Sequence, residues 1–243
     1  MRNLQDQIEK YVRVLSQVQF GETHATVSRM NTKEMTEQQA LLTVRGLTCE
    51  RGGNELFAGM TFSVNSGDLL QIEGSNGSGK STLLRCLCGF YKDWEGEINW
   101  YIDHHPLYIG HKAGVSADLS IEENLAYLLA LHEVPQLPQL IEGVVAGAGL
   151  LVHRNRAVRE LSEGQRKKVN LCRLGLLPSQ IWLLDEPFSS LDGVAVDWLM
   201  SMIEDHRANG GSVVYTSHQA IKLDQKRVRL ADFVSETIGA CTP

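Results

Sequence analysis

The chain has 243 residues, of which 43% are hydrophobic and 21% are charged. These values are typical of a globular protein that can bury one large core, perhaps with a small subdomain. The formal net charge of -6 argues against nucleic-acid binding, because a protein that binds phosphate backbones normally presents a basic face. We therefore expect no nucleic acid among its partners.

The sequence predicts a protein that stays in the cytoplasm. Its longest apolar runs, near 125–131 and 143–152, are much shorter than the ~20 residues needed to cross a bilayer. The first residues lack a basic segment followed by an apolar one, so no secretory signal is expected. Five cysteines at scattered positions are typical of reduced thiols in a cytosolic protein.

The N-terminal part of the chain changes character near residue 40. Residues 1 to about 40 are polar and predict a loosely attached extension, although a short helix that binds a partner is the alternative. From Leu41 the composition favours strands, at 41–47 and 60–64, with a turn at Gly52-Gly53 between them.

A phosphate-loop pattern follows a predicted buried strand at 68–73 and precedes a predicted helix at 81–90. Strand, loop and helix form the context that this motif requires. Backbone amides at the helix N-terminus favour anions, while Lys80 would reach the terminal phosphates and Ser81 would ligate magnesium. The predicted ATP site comprises Gly74, Ser75, Asn76, Gly77, Ser78, Gly79, Lys80, Ser81 and Thr82.

Helices are predicted next, interrupting an alternation of strands and helices. The segment Ser120 to Glu123 has a capping-box pattern, and helical spacing continues from it until Pro135. A second helix is predicted to begin near Pro138 and to end by Gly149. We expect these elements to form a helical subdomain, at about 112–162, inserted into an α/β core.

Strands and helices alternate again in the second half of the chain, which predicts a mostly parallel sheet with nucleotide at its carboxyl edge. Two further strands precede the helical insertion. The predicted strands are 95–101, 107–109, 181–184 and 212–216, and the predicted helices are 163–176 and 194–207.

Polar residues end two of these strands. Asp185 and Glu186 follow the strand at 181–184, where the first carboxylate could hold magnesium and the second could orient or deprotonate a water. His218 closes the next strand and would lie beside the terminal phosphate if the two strands are neighbours. The alternative for Asp185 and Glu186 is that they only cap the end of a strand. The alternative for His218 is an ordinary surface histidine.

The order and approximate spacing of the motifs resemble those of the ATP-binding cassette (ABC) ATPases, over Leu41 to about Leu230. The motifs that carry the resemblance are 74–81, 161–165, 183–186, 190–192 and His218. The resemblance implies an ATP-binding domain over 41–243 with a P-loop core, a mostly parallel sheet, an N-terminal antiparallel β portion and the inserted helical subdomain. It also implies ATP and Mg²⁺ as ligands.

The same resemblance implies an ATP-dependent, head-to-tail homodimer with shared sites. By position, Ser162 and Gly164 would contact the ATP of the other subunit, and Asp192 would communicate across the dimer. His218 would sense the γ-phosphate, and Glu186 would be the general base.

Two positions depart from the usual pattern of the family. Arg51 stands where an aromatic residue usually stacks on adenine, and its planar guanidinium could stack there instead. Lys112 stands where the family carries a glutamine that links the site to the membrane partner. We therefore expect unusual selectivity for the base, and unusual coupling between the nucleotide site and the membrane partner.

More narrowly, short segments resemble the haem exporter ATP-binding subunits of bacterial cytochrome c maturation. They include 71–74, 108–111, 121–125 and 161–169. This resemblance implies an integral membrane transporter subunit as partner and a peripheral position at the cytoplasmic face of the inner membrane. The alternatives are an ATPase for a lipid or drug transporter, and a nucleotide-gated interaction module without turnover.

Overall fold

The computed structural model of the chain describes residues 40–112, 114–135, 138–217 and 223–234. Most of the predicted N-terminal extension, and also His218, lie outside these residues. The described strands are β1 (Ala40–Arg51), β2 (Asn54–Asn65), β3 (Leu69–Glu73), β4 (Trp94–Trp100), β5 (Leu107–Ile109), β6 (Ile181–Leu184), β7 (Ser212–Thr216) and β8 (Lys226–Arg229). The described α-helices are α1 (Lys80–Leu87), α2 (Ile121–Leu131), α3 (Pro138–Gly147), α4 (Glu163–Leu171) and α5 (Gly193–Ala208).

The larger sheet has the order β5-β6-β7-β3-β8, and each neighbouring pair is parallel. The prediction of a mostly parallel sheet is therefore confirmed. Because parallel strands end at one edge, the residues that follow β3, β6 and β7 meet there. Strand β7 pairs with β6 and also with β3. The strand that ends before Asp185 and the strand that precedes His218 are therefore neighbours, which is the condition stated above for His218.

Strands β3, β6 and β7 are buried on both faces of this sheet, which explains why they are mostly apolar. Along β6, Ile181 and Leu183 pack into a hydrophobic cluster with α1 and the antiparallel strands. Trp182 and Leu184 point to the opposite face and pack with residues of α2, α3, α4 and α5. The period-2 alternation of strand side chains thus divides the core into two clusters.

A smaller antiparallel sheet has the order β2-β1-β4, as the family resemblance implied. Its strands β1 and β2 have 12 residues each, so the predicted strands at 41–47 and 60–64 were too short. A Gly52-Gly53 turn joins them, with φ of 61° and 77°. These left-handed values suit the tight turn of a hairpin.

Glycine bulges explain why the strands run further than their composition indicated. Gly46 and Gly59 lie opposite each other with φ of 60° and 66°. The amide of Gly46 donates to Thr61 Oγ1 and the amide of Gly59 donates to Thr48 Oγ1, each at 3.0 Å. Threonine hydroxyls thus replace the ladder bonds at the bulge, and pairing resumes beyond it.

Two helices end earlier than the sequence predicted, and a third, α3, ends within its predicted limit. Helix α1 stops at Leu87 rather than Phe90, because Gly89 adopts a left-handed φ of 73° that cannot continue a helix. Helix α3 ends at Gly147, two residues before Gly149 with φ of 69°. Helix α4 ends at Leu171, and Cys172–Gly175 tightens into a 3-10 turn.

Helices α2 and α3 lie in the chain between β5 and β6, where the inserted subdomain was predicted. Ser120 accepts the amide of Glu123 at 3.2 Å, and the Glu123 carboxylate accepts the amide of Ser120 at 2.7 Å. The predicted capping box is therefore confirmed. The boundaries of the subdomain at about 112–162 stay a prediction.

Candidate nucleotide site

The predicted phosphate loop connects the end of β3 to the start of α1. Gly77 and Gly79 have φ of 81° and 100°, values that side chains other than glycine rarely adopt. A Cβ on Gly79 would also lie 3.1 Å from Leu56 Cβ. Conformation and close packing therefore both require glycine here, where the chain turns into the N-terminus of α1.

Lys80 folds back over its own loop. Its ammonium donates to the carbonyl oxygens of Gly74, at 2.7 Å, and Ser75, at 2.9 Å. The residue is 7% exposed, so the charge is placed before any nucleotide is bound. A phosphate oxygen would offer this ammonium a charged acceptor, which forms a stronger hydrogen bond than a neutral carbonyl.

Asp185 is the most buried carboxylate of the site, with 2% exposure. Its Oδ1 accepts hydrogen bonds from Ser81 Oγ at 3.0 Å and from Thr216 Oγ1 at 2.9 Å. Its amide donates to the carbonyl of Ile109 at 2.8 Å. The carboxylate is thus fixed by α1, β7 and β5, which meet at the carboxyl edge of the sheet.

The oxygens of Ser81 and Asp185 suit a magnesium ion. Asp185 Oδ2 is buried and has no hydrogen-bond partner among the described residues. An unpaired charged oxygen is costly to bury, and a cation offsets this cost.

Glu186 follows Asp185 with a left-handed backbone, φ 50°. Its amide donates to Thr216 Oγ1 at 2.8 Å. One hydroxyl therefore binds both acidic residues, since Thr216 also donates to Asp185. The structure brings Lys80, Ser81, Asp185 and Glu186 to one edge of the sheet.

Sequence analysis missed Thr216, which is fully buried. A signal was present, because Thr216 is the polar last residue of an apolar strand at the same sheet edge as Asp185. Tyr108 lies on β5, which pairs with β6. Burial first, and then the negative charge of Asp185, raise the pKa of Tyr108.

Ser162 and Gly164 begin helix α4. Ser162 is its N-cap and accepts the amide of Gln165 at 3.2 Å, while the Gln165 side chain accepts the amide of Ser162 at 2.9 Å. Gly164 packs against the segment after β6, where a Cβ would lie 2.6 Å from the carbonyl oxygen of Ser190. Their predicted contact with a second subunit stays a prediction.

Three of the remaining predicted residues lie in the part of the chain that the structure describes. Asp192 is the N-cap of α5 and accepts the amide of Ala195 at 2.8 Å. Arg51 is exposed at the end of β1, beside the hairpin turn. Lys112 is exposed in the loop after β5. His218 lies outside the described residues.

Known proteins share the sequence pattern and the fold of this chain. The sequence model of the ABC transporter family matches residues 57–189. A Pyrococcus furiosus ABC transporter ATP-binding protein shares the fold with a TM-score of 0.71 at 21% identity, over 80% of this chain and 99% of that one. The cytochrome c biogenesis ATP-binding export protein CcmA of Haemophilus influenzae is 35% identical over 82% of this chain and 99% of its own length. CcmA of Methylococcus capsulatus is 40% identical over 75% of this chain and 93% of its own length.

This chain belongs to the CcmA family of ABC transporter ATPases. Membership of this family means that it binds nucleotide, typically with Mg²⁺, and hydrolyses ATP as a transporter subunit. ABC ATPases such as the CcmA proteins generally dimerise and work with a membrane partner. In the described part of this CcmA-family chain, every helix is too short or too polar to span a membrane.

Proposed function

We propose that this chain is the ATP-hydrolysing subunit of a transporter complex for cytochrome c biogenesis. ATP hydrolysis there drives haem export or the release of a haem-loaded chaperone at the inner membrane. The observation that carries the ATPase chemistry is the hydrogen bond between Ser81 and Asp185, which joins the phosphate loop to the acidic strand end. The assignment to cytochrome c biogenesis is supported by the CcmA relatives.

The residues at the sheet edge divide the reaction among them. Lys80 and the amides of 74–82 bind the β- and γ-phosphates. Ser81 and Asp185 would hold Mg²⁺, which would supply positive charge to the phosphate oxygens. Glu186 takes a proton from the water that attacks the γ-phosphate. Thr216 fixes both acidic residues through one buried hydroxyl.

The remaining residues complete a shared site in an ATP-dependent homodimer. His218 senses the γ-phosphate, and Asp192 communicates between subunits. Ser162 and Gly164 contact the ATP bound by the other subunit, where the N-terminus of α4 favours an anion. Arg51 stacks on the base in place of an aromatic ring.

The partner is an integral membrane transporter subunit, CcmB-like, and the chain binds it at the cytoplasmic face of the inner membrane as a peripheral subunit. The docking groove lies between the inserted helices and the core, beside Lys112. Because the partner docks in this groove, closure of the dimer would move the partner. The assignment fits an ATPase whose described helices do not cross the membrane.

A chromosomal Glu186→Gln strain, scored for covalently assembled c-type cytochromes, tests this function. We expect these cytochromes to be lost while the variant protein is present at its normal level. A matched strain carries Glu204→Gln, on the exposed side of α5, and should assemble them normally. Normal c-type cytochromes in the Glu186→Gln strain, with another transport process lost, would refute the haem assignment and leave the ATPase assignment standing.

A further inference from the structure

The side chain of Lys167 joins helix α4 to the residues that follow β6. Its ammonium donates hydrogen bonds to the carbonyl oxygen of Glu186 and, at 2.7 Å, to Ser189 Oγ. Ser189 donates its amide, at 3.2 Å, and its hydroxyl, at 2.9 Å, to the same Glu186 carbonyl. That carbonyl is therefore held from α4 and from within its own segment.

The segment held in this way, residues 186–190, contains two unfavourable backbone conformations. Glu186 has φ of 50° and Ser190 has φ of 60°, and neither is a glycine. Left-handed conformations of such residues persist only where the surrounding structure determines them. The contacts made by the segment are therefore needed to keep Glu186 in place.

Helix α4 contacts the same segment near its N-terminus. Ser190 Oγ donates to Glu163 Oε1 at 2.9 Å, and Gly164 lies against the Ser190 carbonyl. Glu163 and Lys167 are four residues apart, so they lie on one face of the helix. On that face, Lys167 contacts the start of the segment 186–190 and Glu163 contacts its end.

The ammonium of Lys167 is partly desolvated in this position. Burial lowers the pKa of Lys167, whereas the negative charges of Glu186, Asp185 and Glu163 act to raise it. A buried cation needs its hydrogen bonds more than an exposed one does, because water does not replace them. The hydrogen bonds to the Glu186 carbonyl and to Ser189 therefore satisfy a partly buried ammonium.

We propose that Lys167 is a positioning residue for Glu186, holding the Glu186 carbonyl and thereby the left-handed backbone from which the carboxylate projects. The inference rests on the proposed role of Glu186 as general base. Helix α4 also begins with Ser162 and Gly164. The helix that meets the ATP of the other subunit therefore sets the position of the base in its own subunit.

The test compares Lys167→Met with Lys168→Met in the full chain. The two lysines are neighbours of similar burial, and the contacts described above belong to Lys167. We expect Lys167→Met to lower kcat about 10- to 100-fold while the KM for ATP changes less than about 3-fold, since a misplaced catalytic group slows chemistry rather than binding. Lys167→Arg, which keeps a cationic donor, should recover part of the loss.

Hydrogen exchange of the amides at 186–191 gives a readout that does not depend on turnover. Exchange should rise at least about 5-fold in Lys167→Met and stay unchanged in Lys168→Met, because local contacts control local opening. If Lys167→Met does not fold, Ser189→Ala removes one partner of the lysine and should change both readouts in the same direction, by less. Equal kcat and equal exchange in the two methionine variants would overturn the inference. Absence of turnover in the wild-type chain would contradict the proposed function instead, and the exchange comparison would still decide the role of Lys167.

Discussion

The phosphate end of the proposed nucleotide site is buried, whereas Arg51, the residue proposed to stack on the base, lies on an exposed hairpin. At the phosphate end, Lys80, Asp185 and Thr216 are 7%, 2% and 0% exposed, and each makes hydrogen bonds with neighbouring elements. At the base end, Arg51 is exposed beside a glycine turn. The phosphate end is thus organised before ATP binds, so little ordering cost remains to be met on binding. We infer that the triphosphate contributes most of the affinity and that the base contributes little.

Lys80→Ala should have the largest effect on binding, because it removes a cation placed against the phosphates. Hydrogen bonds to charged groups contribute about 1.5–3 kcal/mol, so the affinity for ATP should fall roughly 10- to 150-fold. Isothermal titration calorimetry would measure the affinity for ATP. Lys92→Ala, at an exposed lysine beyond α1, is the control and should bind as the wild type does. Equal affinity in the two variants would show that the phosphates bind elsewhere.

Thr216→Val should destabilise the fold as well as the site. The substitution keeps the shape of the side chain but removes one hydrogen bond to Asp185 and one from the Glu186 amide. Leaving these buried groups unsatisfied should lower the free energy of unfolding by about 1–3 kcal/mol. Urea denaturation would measure the change.

Thr43→Val is the matched control for this prediction. Thr43 Oγ1 is buried and has no hydrogen-bond partner among the described residues. Replacing that hydroxyl with a methyl group should leave stability unchanged or raise it slightly. A loss of stability as large as that of Thr216→Val would show that the polar network of Thr216 is not the cause.

The meeting of the phosphate loop with Asp185 and Glu186 at one sheet edge could be predicted, because its signals are local in the sequence. The phosphate loop follows one strand, and Asp185 and Glu186 follow another, so strand order alone brings them to one edge. The contact of Lys167 with Glu186 could not be predicted in this way. It depends on how α4 packs across the sheet edge, and a lysine on a polar helix gives no sign of its partner.

The strands of the fold show the same difference between features with local signals and features that depend on tertiary contacts. Apolar β6 was predicted with its observed bounds, because both of its faces are buried. The long strands β1 and β2 were underestimated, because the predicted strands stop just after Gly46 and begin just after Gly59. Only the threonine hydroxyls opposite these glycines, which the tertiary structure places, allow the pairing to continue.

Arg51→Ala should have a smaller effect than the changes at the phosphate end. A cation that stacks on a base at an exposed site contributes about 0.5–1 kcal/mol, so ATP affinity should fall only about 2- to 5-fold. Discrimination between ATP and GTP should be weak in the wild type, and competition binding would measure both. Arg45→Ala, on the exposed part of the same strand, is the control. Strong adenine selectivity that survives in Arg51→Ala would refute stacking by this residue.

Deletion of residues 1–34 should have the smallest effect. The described residues enclose both hydrophobic clusters, and β1 begins at Ala40. The shortened chain should therefore keep its solubility and its ATP turnover, as a melting curve and a phosphate-release assay would show. Loss of soluble protein would mean that the extension is part of the core.

The central claim is that Glu186 activates water at a phosphate end that is already formed, and Glu186→Gln tests it most directly. Turnover and ATP-dependent dimerisation of the purified wild type and variant should be measured together, by phosphate release and by light scattering. We expect turnover to fall at least about 100-fold, because general base catalysis is removed. ATP affinity should be kept, and an ATP-bound dimer should accumulate. Turnover at the wild-type rate in Glu186→Gln would contradict the account.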